Sequence, residues 1–148
     1  MYAAAALQLY TEHGDESFAL SKARICRTLF VLFDEKYSIA AIERLLKANF
    51  VEQARIKDML KPCLITSYDI QRRKALFFDQ LGARKKKEKN FKVWEVARST
   101  AAAPTYFEPA NIQCEIGSDT PLIDGGLFAN NPAMCAYIDA HKTRFSTL

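Results

Sequence analysis

Apolar positions recur at helical spacing at the start of the chain and at strand spacing further on. In FALSKARICRTLFVLF, residues 18–33, Leu20, Ala23, Ile25, Leu29, Phe30 and Phe33 lie roughly along one side and predict a helix. SIAAIERLLKANF, residues 38–50, predicts a second, with Ser38 as N-cap and Ile42, Leu45, Leu46 and Phe50 on one face. Pro62 stops the helical pattern. CLITSYDI, residues 63–70, is short, β-branched and aromatic and predicts a strand, with KALFFDQ, residues 74–80, as its hairpin partner across the polar QRR. NFKVWEVARSTAAA, residues 90–103, predicts a helix ended by Pro104, and NIQCEI and PLIDGG predict two more strands. PAMCAYIDAHK predicts a last helix, with Asn131 as N-cap and Pro132 at the first position, where a missing N–H costs nothing. Helices alternate with strands, and no repeat or linker interrupts residues 1–148. The expectation is one domain of the α/β class.

Composition bears on the class of protein. With 49% hydrophobic and 26% charged residues, the chain has material for a core and is neither disordered nor fibrous in type. No apolar run approaches the roughly 20 residues needed to cross a bilayer. MYAAAALQLY lacks a positive leader and soon turns polar, so no signal peptide is expected and the expected location is cytoplasmic.

The net charge of +4 is concentrated in ARKKKEKN, where Arg84, Lys85, Lys86, Lys87 and Lys89 cluster, with Lys92 just beyond. A solvated loop is the plain interpretation. The sharper one is peripheral contact with an anionic membrane. Nucleic acid is not an expected partner, because no aromatic residues interleave with the run. Cys26, Cys63, Cys114 and Cys135 sit among apolar neighbours and read as buried free thiols of a reducing compartment. His13 and His141 lie in polar surroundings near opposite ends and read as surface residues, so neither metal nor cofactor is expected.

The chemistry concentrates at Asp124. The apolar Pro121-Leu122-Ile123 leads into this carboxylate, and Gly125 and Gly126 follow at once. Open α/β sheets place functional groups beyond the carboxyl ends of their strands. Two glycines there can adopt positive φ or let another backbone approach closely. Alone, however, Asp-Gly is also ordinary turn chemistry. Trp94, Tyr106, Phe107 and Phe128 read as core residues before ligand-binding ones, and Tyr68 and Asp69 read as fixing a strand end.

The wider context is more specific. LIDGGLFANNPAMCAY, preceded by VARSTAAAPTYFEP, resembles the patatin-like phospholipase family. There an apolar strand ends in Asp-Gly-Gly or Asp-Gly-Ala before an Asn-Pro helix start, downstream of a segment close to Arg98–Pro109. The resemblance covers roughly residues 36 to 142 and implies a partial three-layer α/β/α domain. It also implies acyl-ester hydrolysis of lipids by a Ser–Asp dyad, with Asp124 as the base and Gly125, Gly126, Asn131 and Pro132 as its supporting motif. In a lipid hydrolase the alternative use of Trp94, Tyr106, Phe107 and Phe128 is to line an acyl pocket. At the position of Ala101 the family usually has Ser, a slight departure.

The family's nucleophile sits in a Gly-x-Ser-x-Gly elbow, and a Gly-rich loop supplies its oxyanion donors. The glycines here are Gly14, Gly82, Gly117, Gly125 and Gly126, and no pair flanks a serine at that spacing. In the family both parts lie upstream of the helices that begin this chain. The expectation is therefore the C-terminal part of a catalytic core, holding the base without the nucleophile and inactive alone. Neither Ser67 nor Ser99 is expected to substitute. Lost strands should leave an unpaired apolar edge on PLID or CLIT. The alternative function is an inactive remnant or an interaction module, and an unrelated α/β binding domain is disfavoured by the ordered run of motifs.

Overall fold

The computed structural model describes residues 11–12 and 39–143. The helix expected at 18–33, the Ser38 cap, Cys26 and His13 lie outside them. Helix α1 is Ile39–Asn49, followed by a 3-10 turn, Ile56–Asp58. Strands β1 (Leu64–Asp69) and β2 (Lys74–Asp79) form the expected hairpin, and α2 (Gln80–Lys85) and a 3-10 turn at Lys87–Lys89 carry the basic run. Helix α3 (Val93–Thr100), strands β3 (Ala110–Gln113) and β4 (Asp119–Asp124) and helix α4 (Ala133–Thr143) complete the order. Helices with one four-stranded sheet make this a mixed α/β fold, consistent with a partial patatin-like domain.

The strand order is β2-β1-β4-β3, and every neighbouring pair is antiparallel. Tight connections dictate this for β1–β2 and β3–β4, since short hairpins can join only antiparallel strands, whereas β1 and β4 meet through the tertiary fold. The β1–β2 turn places Arg73 at φ 53°, and the β3–β4 turn places Gly117 at φ 84°. The order corrects one expectation. PLID is not an unpaired edge, because Leu122–Asp124 pair with Ser67–Asp69 of β1 and Pro121 and Leu122 with β3, whereas Leu64–Thr66 of CLIT lie outside the β1–β4 register and have β2 as their one strand partner among the described residues. The outer strands of the described sheet are β2 and β3, and β3 alternates buried and exposed residues as a one-sided strand should.

The core gathers on the sheet face that carries Phe78, Ala110, Ile112 and Leu122, with Val96 of α3, Ile56 and Phe91 packed into it. The rings of Phe78 and Phe91 meet edge to face, with centroids 5.2 Å apart. Segment 55–57 is tied to 90–92: the Ile56 amide donates to the Phe91 carbonyl at 3.0 Å, and the fully buried Asn90 links Lys57 to Glu115. Among the thiols, Cys114 is buried and Cys63 and Cys135 half-buried, all free. Burial pushes the Cys63 thiol up, and the Asp79 carboxylate adds to it. The core assignment holds for Phe107 but not for Tyr106 and Phe128, which are 45% and 39% exposed.

Asp69 closes β1 as expected. It accepts from the Arg72 amide at 2.8 Å and pairs with the Arg72 guanidinium at 3.0 Å. Burial raises its carboxyl, but the Arg72 and Gln71 bonds and the Arg72 charge together outweigh burial and hold it below its ordinary value of 3.8. A depressed folded value contributes stability above the unfolded value and loses it as pH falls through the folded one. Asp69→Asn should therefore lower the denaturation midpoint at pH 7, and its gap from the parent should shrink as pH drops below 3.8. Denaturant titrations at several pH values check this, and a pH-independent gap would refute it.

Candidate active site

Strand β4 delivers Asp124 at its carboxyl end, directly opposite Ser67 of β1 in the antiparallel register. Its amide donates to the Ala102 carbonyl at 3.0 Å, so the 101–109 segment and the end of β4 are hydrogen-bonded together. Its carboxylate is half-buried, and Oδ1 accepts from the Gly126 amide at 2.8 Å. That bond caps the 3-10 turn Gly125–Leu127 and orients the carboxyl group. Oδ2 has no hydrogen-bond partner among the described residues. One oxygen is thus held and the other is available as an acceptor.

Neither glycine adopts positive φ, which among the described glycines belongs to Gly117. Their use is the absence of a side chain. A Cβ on the buried Gly125 would fall far inside contact with Thr66 Oγ1 and the Thr66 carbonyl group. One on Gly126 would stand 3.2 Å from Asp124 Oδ1. The turn therefore lies against the β1 backbone, and Thr100 donates to the same Thr66 carbonyl at 2.8 Å.

The 101–109 segment is held by Arg98. This side chain is 2% exposed, donates through Nη2 to the Glu108 carbonyl at 2.9 Å and stands 5.7 Å from the Phe107 ring centre. Burial lowers its pKa, against the opposing charges of Glu43 and Glu108. Within the segment Thr105 takes φ 70°, a left-handed conformation that is costly for a β-branched residue. The Tyr106 and Phe107 amides both donate to the Ala103 carbonyl, at 3.1 and 3.0 Å.

Downstream, Asn131 Oδ1 accepts from the Ala133 amide at 3.0 Å and Pro132 precedes the first residue of α4, the start expected for that helix. Phe128 lies beside Asp124's turn and meets Phe77 edge to face at 5.7 Å and Tyr68 at 6.4 Å. The sequence singles out Phe128 and places Tyr68 at a strand end, but that the two meet Phe77 follows from the tertiary fold.

Both other serines considered as nucleophiles are fully buried. Ser67 donates to the Ile123 carbonyl at 2.7 Å, and Ser99 to the Val96 carbonyl at 2.9 Å. A cleft of about 200 Å³ between α1, α3 and β3, lined by Glu43, Trp94 and Arg98 among others, does not include Asp124.

Residues 4–137 match the family described as Patatin-like phospholipase, so the match begins well before the residue 36 reached by motif inspection. The chain is 29% identical over 136 residues to "Probable inactive patatin-like protein 9" of Arabidopsis thaliana, covering 88% of this chain and 34% of that protein. It is 36% identical over 96 residues to "Patatin-like protein 6" of the same plant, covering 64% and 19%. To "Probable inactive patatin-3-Kuras 1" of Solanum tuberosum it is 30% identical over 132 residues, covering 86% and 33%. The chain spans about a third or less of the length of these relatives. With nearly all of its length matched and the Asp-Gly-Gly turn, its Ala102 contact and the Asn-Pro helix start in place, the chain belongs to the patatin-like phospholipase family.

Proposed function

We propose that this chain carries the base half of a serine lipid acyl hydrolase site, with Asp124 as the acceptor of the nucleophile's proton. The observation that carries the reading is the Asp124 carboxylate: Oδ1 is fixed by Gly126, and Oδ2, at the end of β4, has no partner among the described residues. In such a site a serine hydroxyl bonds to Oδ2 and attacks the acyl carbonyl. Asp124 takes its proton and then returns it to the departing alcohol, leaving an acyl-serine that water cleaves. The substrate class is a lipid acyl ester, and the proposed extent of the partial domain is 1–148.

A second reading, an inactive or interaction module, is favoured by two observations. The 148 residues contain no Gly-x-Ser-x-Gly, and Ser67 and Ser99 are buried with their hydroxyls committed to backbone. Two of the relatives also carry "Probable inactive" in their names. On both readings contact with an anionic membrane is proposed through Arg84, Lys85, Lys86, Lys87 and Lys89, all exposed. No described helix is long and apolar enough to cross a membrane.

The 148-residue chain alone is accordingly expected to hydrolyse short-chain nitrophenyl esters and phospholipid no faster than background. An initial-rate assay checks this. A rate abolished by Asp124→Asn would mean that a serine within these residues serves as nucleophile.

A further inference from the structure

The turn after the Ile56–Asp58 element presents Leu60 to solvent with its whole surface exposed, whereas its neighbour Met59 is partly buried against the core. Nothing in the sequence sets Leu60 apart from the helical and strand leucines. Its position is fixed by the fold: the Met59 carbonyl accepts from the buried Gln80 side chain, and the Lys57 carbonyl accepts from Arg84 Nε at 3.0 Å. Both donors belong to α2. The Leu60 turn is thereby fastened to the start of the basic run, although some 20 residues separate them in sequence.

The charges around Leu60 differ in how far they are neutralised. Lys57 pairs with Glu115 at 3.3 Å, and Lys89 with Asp79 at 3.4 Å. Lys61, Lys85, Lys86 and Lys87 have no ion-pair partner among the described residues, and all are exposed. Exposed ammonium groups on a run fastened to the turn of a fully exposed aliphatic side chain combine the two terms of interfacial binding: attraction to anionic headgroups and burial of apolar surface at their boundary.

The sheet register sets where this surface lies. Leu64 of β1 pairs with Asp79 of β2, and Asp124 of β4 pairs with Ser67, with β1 and β4 antiparallel. The start of β1, the end of β2 and the end of β4 therefore share one end of the sheet. The Leu60 turn leads into that end, the basic run leaves from it, and Asp124 sits about 10 Å in from Leu64 along β1.

We infer that Leu60, with Lys61 next to it in sequence and Arg84, Lys85, Lys86 and Lys87 on the run fastened to its turn, is an interfacial docking surface that inserts one leucine into an anionic lipid bilayer at the sheet end where Asp124 emerges. This rests on the membrane-contact reading above and adds to it the inserted residue and the orientation.

The test uses the full 148-residue chain with vesicles of phosphatidylcholine, with and without phosphatidylserine. The chain should sediment with the anionic vesicles and be released by raised salt. Leu60→Asp should weaken this partitioning about tenfold or more, and Lys85, Lys86 and Lys87 replaced together by Gln roughly a hundredfold. Because Leu60 is wholly exposed, its replacement leaves the core untouched, and an unchanged melt verifies that. A Leu60→Trp, Trp94→Phe chain should show blue-shifted emission quenched by brominated acyl chains. Binding that the triple Gln change abolishes but Leu60→Asp leaves unchanged, with unquenched emission, would overturn the insertion while sparing the electrostatic contact. No sedimentation of the parent chain would overturn both.

Discussion

Gly125→Ala is expected to destabilise the protein by about 3 kcal/mol or more, a large part of a typical domain's net stability. The added methyl group would meet backbone, not a mobile side-chain tip. Two of its three nearest atoms are the carbonyl carbon and oxygen of Thr66. Thr66 cannot recede easily, because it is paired with Phe77 of β2 and its carbonyl also accepts the Thr100 hydroxyl. The 3-10 turn would have to lift off β1, taking Asp124 with it. Gly126→Ala provides the contrast: its Cβ would press only on Asp124 Oδ1 at 3.2 Å, from an exposed position. Its stability should change by well under 1 kcal/mol, while the carboxylate it caps shifts. Denaturant titration of both variants separates the two roles. Equal, small losses would show that the turn does not depend on its contact with β1.

Much of this arrangement is legible in the sequence. The β1–β2 hairpin, the Pro-limited α3, the Asn131 cap and the delivery of Asp124 at a strand end all follow from local signals: periodicity, β-branching, Pro and Asx chemistry. What is not legible depends on long-range pairing. PLID and CLIT carry the apolar character of strands that need neighbours, but only the tertiary register shows that PLID pairs with Ser67–Asp69, the half of β1 beyond CLIT. Gly125 is recognisable as permissive, yet its use, a backbone-to-backbone approach without positive φ, comes from Thr66, 59 positions earlier in the chain. The same holds for exposure. Tyr106 and Phe128 are as hydrophobic as Phe107, and their place outside the core follows from the 3-10 and left-handed turns they occupy.

The second large effect concerns catalysis. If Asp124 is the base of a Ser–Asp pair, then a polypeptide that joins a patatin-like elbow and oxyanion loop to this chain should gain ester hydrolysis that depends on Asp124. Asparagine is nearly the same size as aspartate, so Asp124→Asn retains an acceptor oxygen for the Gly126 amide. What it loses is a carboxylate able to take the serine's proton. General-base contributions are about 10² to 10⁴ in rate, and with no histidine to share the task the loss should lie near the upper half of that range, about 10³-fold. Oδ2 has no hydrogen-bond partner among the described residues, so the incoming serine would displace no bond described there.

The most direct measurement is therefore kcat/KM for a nitrophenyl ester on a fusion of a patatin-like segment bearing a Gly-x-Ser-x-Gly elbow and oxyanion loop with this chain, compared with the same fusion carrying Asp124→Asn, both shown to melt alike. The account predicts hydrolysis by the first and a loss of about 10³-fold in the second. Equal rates from two well-folded fusions would contradict it and remove Asp124 from the chemistry.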